Sequence, residues 1–204
     1  MKKFRNKCYL CNSEKFLKIP GKVRDNPKIP IFQCKQCKLV FLGDQKHINK
    51  KYYEDHYLDE NLKDVSWEKM LKICFSDDKR RAEQIKLLIK DKEYLDIGCG
   101  AGGTLVQLRK NNKNISGVEP IKIWRDNLNA VGIKTFKSIE EIKDSSVNFI
   151  TLFHVLEHIK DPIELLKLVK KKGTKDCTMV IEVPNVDDAL ISLYKNKGFS
   201  NFTY

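Results

Sequence analysis

Four cysteines, Cys8, Cys11, Cys34 and Cys37, form two C-x-x-C pairs separated by 22 residues. A C-x-x-C turn brings two sulfurs close enough to share one ion, and two such turns complete a tetrahedral sulfur cage. Zinc suits four soft thiolates best, because it demands no particular d-electron geometry. Structural disulfides and a redox pair are the alternatives. The total of seven cysteines is odd and the start, MKKFRNKCYLCN, lacks the apolar stretch of a secretory leader, which argues against disulfides. Four protein ligands would close the site, so the metal would be structural. Residues 1–42 can build little core of their own, and an ion would supply the missing stability.

A second group of residues lies at Tyr94–Gly103, YLDIGCGAGG, with Gly98, Gly100 and Gly103 in the G-x-G-x-x-G spacing. That turn commonly receives a pyrophosphate, but Asp96, two residues before the first glycine, would repel one in a poorly screened site. The Lys of a triphosphate-binding G-x-x-x-x-G-K-[ST] loop is missing too. A phosphate-free ligand carrying an amine or sulfonium fits better, with Asp96 as its attractor. Glu119, at the end of ISGVEP, stands where a carboxylate can accept two hydrogen bonds from a ribose diol. Adenosine plus a cation, without phosphate, describes S-adenosylmethionine.

The elements that must position these residues alternate along the chain. Short apolar runs at 94–98, 115–119, 133–137, 147–153 and 178–183 read as strands, and 103–112, 121–131 and 161–172 as helices. The last helix is well marked, with Asp161 as cap, Pro162 in its first position and Glu164 in its third. Such alternation predicts an α/β fold: a Rossmann-like, doubly wound, mainly parallel sheet whose ligands bind at the carboxyl ends of the strands. Upstream, apolar residues at helical spacing (Ala82, Ile85, Leu88, Ile89) predict one helix from Trp67 to Ile89. KLVFL reads as a strand closing the cysteine module. Residues 43–65, with Tyr52, Tyr53 and Tyr57, read as a short helix in a connecting segment. The expected organisation is a zinc-ribbon-like module at 1–42, a helical linker or lid at 43–90 and an S-adenosylmethionine-binding domain at 91–204.

The net charge of +12 is unevenly placed, since residues 1–42 hold 11 Lys/Arg against two acidic residues. It either keeps the protein soluble or attracts a phosphate-bearing partner. Neither an aromatic-interleaved stacking pattern nor an RNA-binding signature accompanies it. No apolar run approaches the ~20 residues of a membrane span, so membrane insertion is not expected and a cytoplasmic location is.

YLDIGCGAGG, GVEP and FITLFHVLEHIKDPIELLKLV together resemble the first-, second- and fourth-strand motifs of class I S-adenosylmethionine-dependent methyltransferases. The front of the chain, with its paired cysteines, KLVFL and YYEDHY, resembles a subgroup with an N-terminal zinc-binding module that acts largely on sugars. The resemblance implies that Asp96, Gly98 and Gly100 surround the methionine part of the cofactor. Glu119 would hold the ribose, with Pro120 and Ile121 beside the adenine and Ser138 and Ile139 at its edge. Many relatives carry an acid where Ser138 stands, so adenine N6 would have a weaker partner here. His154 follows the fourth strand, with His158 one turn later. Imidazole titrates near neutrality, so His154 is a candidate base for the proton an acceptor loses; its alternative is a structural role in the HVLEH turn. His47 reads as a surface residue, and His56 as surface or part of the tyrosine-rich lid.

The implied partner is a small-molecule acceptor, a sugar or nucleotide-sugar. An RNA methyltransferase is the second reading, and a non-catalytic zinc-ribbon protein with a degenerate methyltransferase domain a third. After TMVIEVPN and a helix expected at 187–197 the sequence ends at Tyr204, before the antiparallel hairpin that the family adds. The sheet is therefore expected to be incomplete at its C-terminal edge and this chain to bind S-adenosylmethionine weakly or not at all.

Overall fold

The computed structural model describes residues 7–21, 23, 26–43 and 65–188. The chain divides into two compact units, Met1–Ile48 with Pro184–Tyr204, and Asn49–Val183. Most of the expected linker within 43–65, including His47, His56 and the three tyrosines, and most of the helix expected at 187–197 lie outside the described residues.

In the first unit β1 (Phe16–Ile19), β2 (Ile31–Cys34) and β3 (Val40–Leu42) form an antiparallel sheet in that order. Only β3 was legible as a strand. Strand alternation sends successive side chains to opposite faces. Ile31 lies between Ile19 and Leu42 in the register, and these pack with Val23 and Ile29. Phe16, Phe32 and Phe41 occupy the other face, Phe41 meeting Phe16 edge-on at 5.2 Å and stacking on Phe32 at 6.3 Å. A core of so few side chains is small even for a module of this length.

The second unit holds a five-stranded sheet, β6-β5-β4-β7-β8, with every pairing parallel. Its strands are β4 (Tyr94–Ile97), β5 (Ile115–Val118), β6 (Lys134–Phe136), β7 (Val147–Phe153) and β8 (Gly173–Glu182). All four residues of β4 are buried, as a central parallel strand covered on both faces requires. Around it are α1 (Trp67–Ile73), α2 (Phe75–Ile85), α3 (Gly103–Leu108), α4 (Lys122–Ala130) and α5 (Pro162–Lys172). Ala82 and Ile85 of α2, Leu105 and Leu108 of α3 and Leu128 of α4 pack with Tyr94 and Phe149 on one face. Val169 of α5 joins Leu95, Ile97, Ile150 and Leu152 on the other. Truncating the fully buried Phe149 would cost ~3–5 kcal/mol.

Two expected elements come out differently. The single helix over 67–89 is broken at Cys74 into α1 and α2, and regular helix ends at Ile85. Asp77 and Asp78 sit in the first turn of α2, where carboxylates favour a new helix start. Leu88, expected on the buried stripe, is 52% exposed. The last strand begins at Gly173 rather than 178, directly after α5, and its register against β7 shifts between Val147 and Phe149. The polar run Thr174–Asp176 hid this start: it falls in the irregularity between the Val147–Gly173 and Phe149–Thr178 pairs and shows no apolar face. α5 matches its signals: Asp161 accepts from the Glu164 amide at 3.3 Å, and three lysines close the last turn. Among the described residues no helix is long and apolar enough to cross a membrane.

Candidate functional site

The order of the large sheet reverses between β4 and β7, so the carboxyl ends of β4, β5 and β7 surround the position where such sheets take ligands. Asp96 sits on β4 there, 4% exposed. The Thr151 hydroxyl donates to its Oδ1 at 2.6 Å, and Tyr94 Oη lies 2.8 Å from the same Thr151 oxygen. Thr151 has one proton and gives it to the carboxylate, so the Tyr94 hydroxyl donates to Thr151. Burial pushes the Asp96 carboxyl up to about 7, against the Thr151 hydrogen bond, with Asp78 and Glu119 adding repulsion and Arg81 opposing it. Three buried acids therefore converge on one place, with Arg81 acting on Asp96 and Asp78 and Arg125 on Glu119, a field that favours a cationic ligand over a phosphate.

The turn after β4 passes through Gly98 at φ 69° and Gly100 at φ 55°. A side chain at Gly98 would be strained by that backbone and would meet Val155 Cγ2 at 2.7 Å. Glu119, 2% exposed, fixes the turn to the next strand. Its Oε2 accepts from the Gly100 amide and its Oε1 from the Ile121 amide, each at 2.8 Å. Each oxygen keeps a second lone pair for another donor. Burial raises its carboxyl, and the two amides pull the other way. Pro120 and Ile121 are half-buried beside it, and Arg125 Nη1 donates to the Glu119 and Pro120 carbonyls.

Ser138 and Ile139 follow β6 at a short 3₁₀ turn, Ile139–Glu141. The Glu141 carboxylate accepts from the Ser138 and Lys137 amides. Ile139 is buried in the core that contains Val118 and Val147. Of this pair, Ser138 is the half-buried one.

His154 follows β7 with a left-handed backbone, φ 55°. Its Nδ1 lies 3.0 Å from Glu157 Oε1 and its Nε2 3.2 Å from Glu182 Oε1. The Glu157 hydrogen bond raises its pKa above the usual value. Glu182 is also gripped by Arg80 at 3.0 Å and Arg81 at 2.6 Å, so β8, the HVLEH turn and α2 share one ion network. His158 lies in the 3₁₀ turn Leu156–His158.

Two residues that hold the glycine turn were not read from the sequence. Trp67 of α1 donates its Nε1 to the Ala101 carbonyl at 2.8 Å, and Asp78 of α2 accepts from Thr104 Oγ1 at 3.0 Å. For Asp78 a signal exists: 78, 82, 85 and 89 share one buried helical stripe, and an acid within such a stripe demands a polar partner.

In the first unit the sulfurs of Cys8, Cys11, Cys34 and Cys37 all lie within 4.8 Å of one another. Cys8–Cys37 and Cys11–Cys34 are 3.6 and 3.5 Å apart. A disulfide needs ~2.0 Å, whereas a tetrahedron with ~2.3 Å metal–sulfur bonds has edges of ~3.8 Å. All seven cysteines are free thiols. Backbone amides of Cys37 and Gln36 favour the thiolate of Cys34, the form a metal takes, while burial pushes the neighbouring Cys37 thiol up. The donor set fits zinc.

A family model described as a methyltransferase domain matches residues 67–203. No curated protein matches the sequence. Among solved structures, an S-adenosylmethionine-dependent methyltransferase of Thermotoga maritima is similar at 24% identity and TM-score 0.50, over 62% of this chain and 61% of that one. A protein of Methanococcus maripaludis assigned to the same cofactor class aligns at 17% identity and TM-score 0.52, over 71% of this chain and 78% of its own. These likenesses establish the fold, and the chain spans less than two thirds of the Thermotoga relative's length.

Proposed function

This chain belongs to the methyltransferase-domain family, and on that premise we propose that it transfers the methyl group of S-adenosylmethionine to a small-molecule acceptor. The observation that carries the reading is Asp96: a carboxylate buried beside a glycine turn, in the company of Asp78 and Glu119. That arrangement disfavours a phosphate and welcomes the charges of a sulfonium amino acid. Asp96 attracts the methionine end, the turn at Gly98 and Gly100 lets it approach the backbone, and the free lone pairs of Glu119 take the ribose. Pro120, Ile121 and Ser138 flank the adenine.

A sugar or nucleotide-sugar is the acceptor we favour, supported by the likeness of the cysteine-rich front to sugar-modifying relatives. One zinc ion, held by Cys8, Cys11, Cys34 and Cys37, gives the first unit its stability. Titration calorimetry with S-adenosylmethionine tests the reading. Weak binding is expected, lowered further by Asp96→Ala. Absence of heat would leave a non-catalytic zinc-ribbon protein.

A nucleic-acid acceptor is the second reading. It draws on the exposed Lys7, Lys15, Lys18, Lys28, Lys35 and Lys38 of the first unit. RNA binding that falls steeply with added salt would favour it.

A further inference from the structure

The helix behind the glycine turn has no cap of its own. Gly102 stands at its N-cap with φ 74° and no side chain to accept from the first amides. Such amides need water or a neighbouring group. In this fold the neighbour is Asp78, from α2. Thr104 donates its Oγ1 to the Asp78 carboxylate at 3.0 Å, and its backbone N–H helps offset the burial that raises this acid. Asp78 is 8% exposed and Thr104 3%, so the cap is shielded from water. A Cβ on Gly103 would overlap the Asp78 carboxylate. The third glycine of the turn is therefore small because this acid lies against it. Trp67, from α1, fixes Ala101 beside it, while Glu119, just after β5, fixes Gly100.

We propose that Asp78 is a positioning residue for the methyl donor: a cap supplied by α2 that sets residues 100–104 in the conformation that receives it. The proposal rests on the methyltransferase reading. Helix packing alone does not call for an acid here, because the stripe it shares with Ala82 and Ile85 is otherwise apolar and burying a carboxylate is unfavourable. Asp78 also faces Asp96 electrostatically, with Arg81 and Glu119 as the other charged groups acting on that acid. Asp77 and Arg81 act on Asp78 itself. Removing the Asp78 charge therefore makes Asp96 easier to ionise, an effect that a purely mechanical cap would not have.

Asp78→Asn keeps the shape and removes one acceptor and the charge; Thr104→Val removes the hydroxyl bond and leaves the charge. Two readouts are needed, amide hydrogen exchange of residues 100–106 without ligand, and S-adenosylmethionine affinity from pH 6 to 9. Both variants should speed exchange at 102–105 and weaken binding at pH 8 by about five- to tenfold, the effect of one lost buried hydrogen bond. Exchange in β4 and β7 should stay as in the parent. Asp78→Asn alone should move the pH midpoint of binding downward. Parental affinity in both variants overturns the proposal, whether or not exchange changes. If the parent chain itself binds no S-adenosylmethionine, the methyltransferase reading falls. Exchange at 102–105 then decides separately whether Asp78 sets the loop, and parental rates there would refute it.

Discussion

Replacing Asp96 with Asn leaves the side chain's shape and deletes the charge that the proposed ligand needs. In the free protein burial lifts this carboxyl from 3.8 to about 7. A cation binds the ionised form, so affinity should be nearly full at pH 8, about halved at pH 7 and about tenfold lower at pH 6. Calorimetric titrations with S-adenosylmethionine at those three values measure this directly. Asp96→Asn should bind more weakly at pH 8 and show little of the slope. The same shift has a stability consequence of opposite sense. A carboxyl whose folded pKa is raised makes the fold bind more protons than the unfolded chain. Its contribution therefore becomes unfavourable as pH rises from about 4 to about 7, by about 4 kcal/mol at most. Asp96→Asn should accordingly melt at a higher temperature than the parent at pH 8, gaining stability while losing ligand. A parent affinity that is equal at pH 6 and pH 8, or a variant with the parent's slope, would refute the reasoning.

The zinc cage should carry one ion per chain by elemental analysis. Cys34→Ser or strong chelation should open residues 7–43 to protease while leaving the sheet of 94–182 folded. Gly98→Ala meets both a positive φ and Val155, and should lower the melting free energy by ~1–3 kcal/mol and weaken donor binding, read by thermal melts and calorimetry. His154, held between Glu157 and Glu182, should titrate above the usual imidazole value by NMR. The stability it adds should be full below pH ~6.5 and fade as pH rises through its raised pKa. If its role is that of a strut, His154→Gln should reduce turnover less than tenfold; a general base would lose ~100-fold or more.

Much of the large sheet could be read in advance because its strands are short, apolar and separated by well-signalled helices. The Asp161–Pro162–Glu164 start of α5 is the clearest case. The start of β8 was hidden because the polar residues Thr174–Asp176 interrupt its pairing with β7 and show no apolar alternation. β1 and β2 were hidden for another reason: at four residues each they are too short to show a clear period. At the candidate site, Asp96, Gly98, Gly100 and Glu119 do come together at the ends of β4 and β5, since glycine turns and strand-end acids are local signals. Trp67 and Asp78 lie 34 and 26 positions before their partners. Only the fold makes them neighbours of the turn. Phe16, Phe32 and Phe41, scattered in the sequence, share a face for the same reason.

The hydroxyl chain from Tyr94 through Thr151 to Asp96 has one direction while the acid is ionised, because an anion can only accept. Once Asp96 is protonated it can donate to Thr151, and the direction of the chain is no longer fixed by the acid. Tyr94 is 1% exposed and opens the strand that Asp96 nearly closes. The charge of the ligand acid is thus relayed to a ring in the protein's interior. Loading the site with a cation and raising the pH would leave the same mark there, a molecular memory of occupancy carried by three protons rather than by any movement of the backbone.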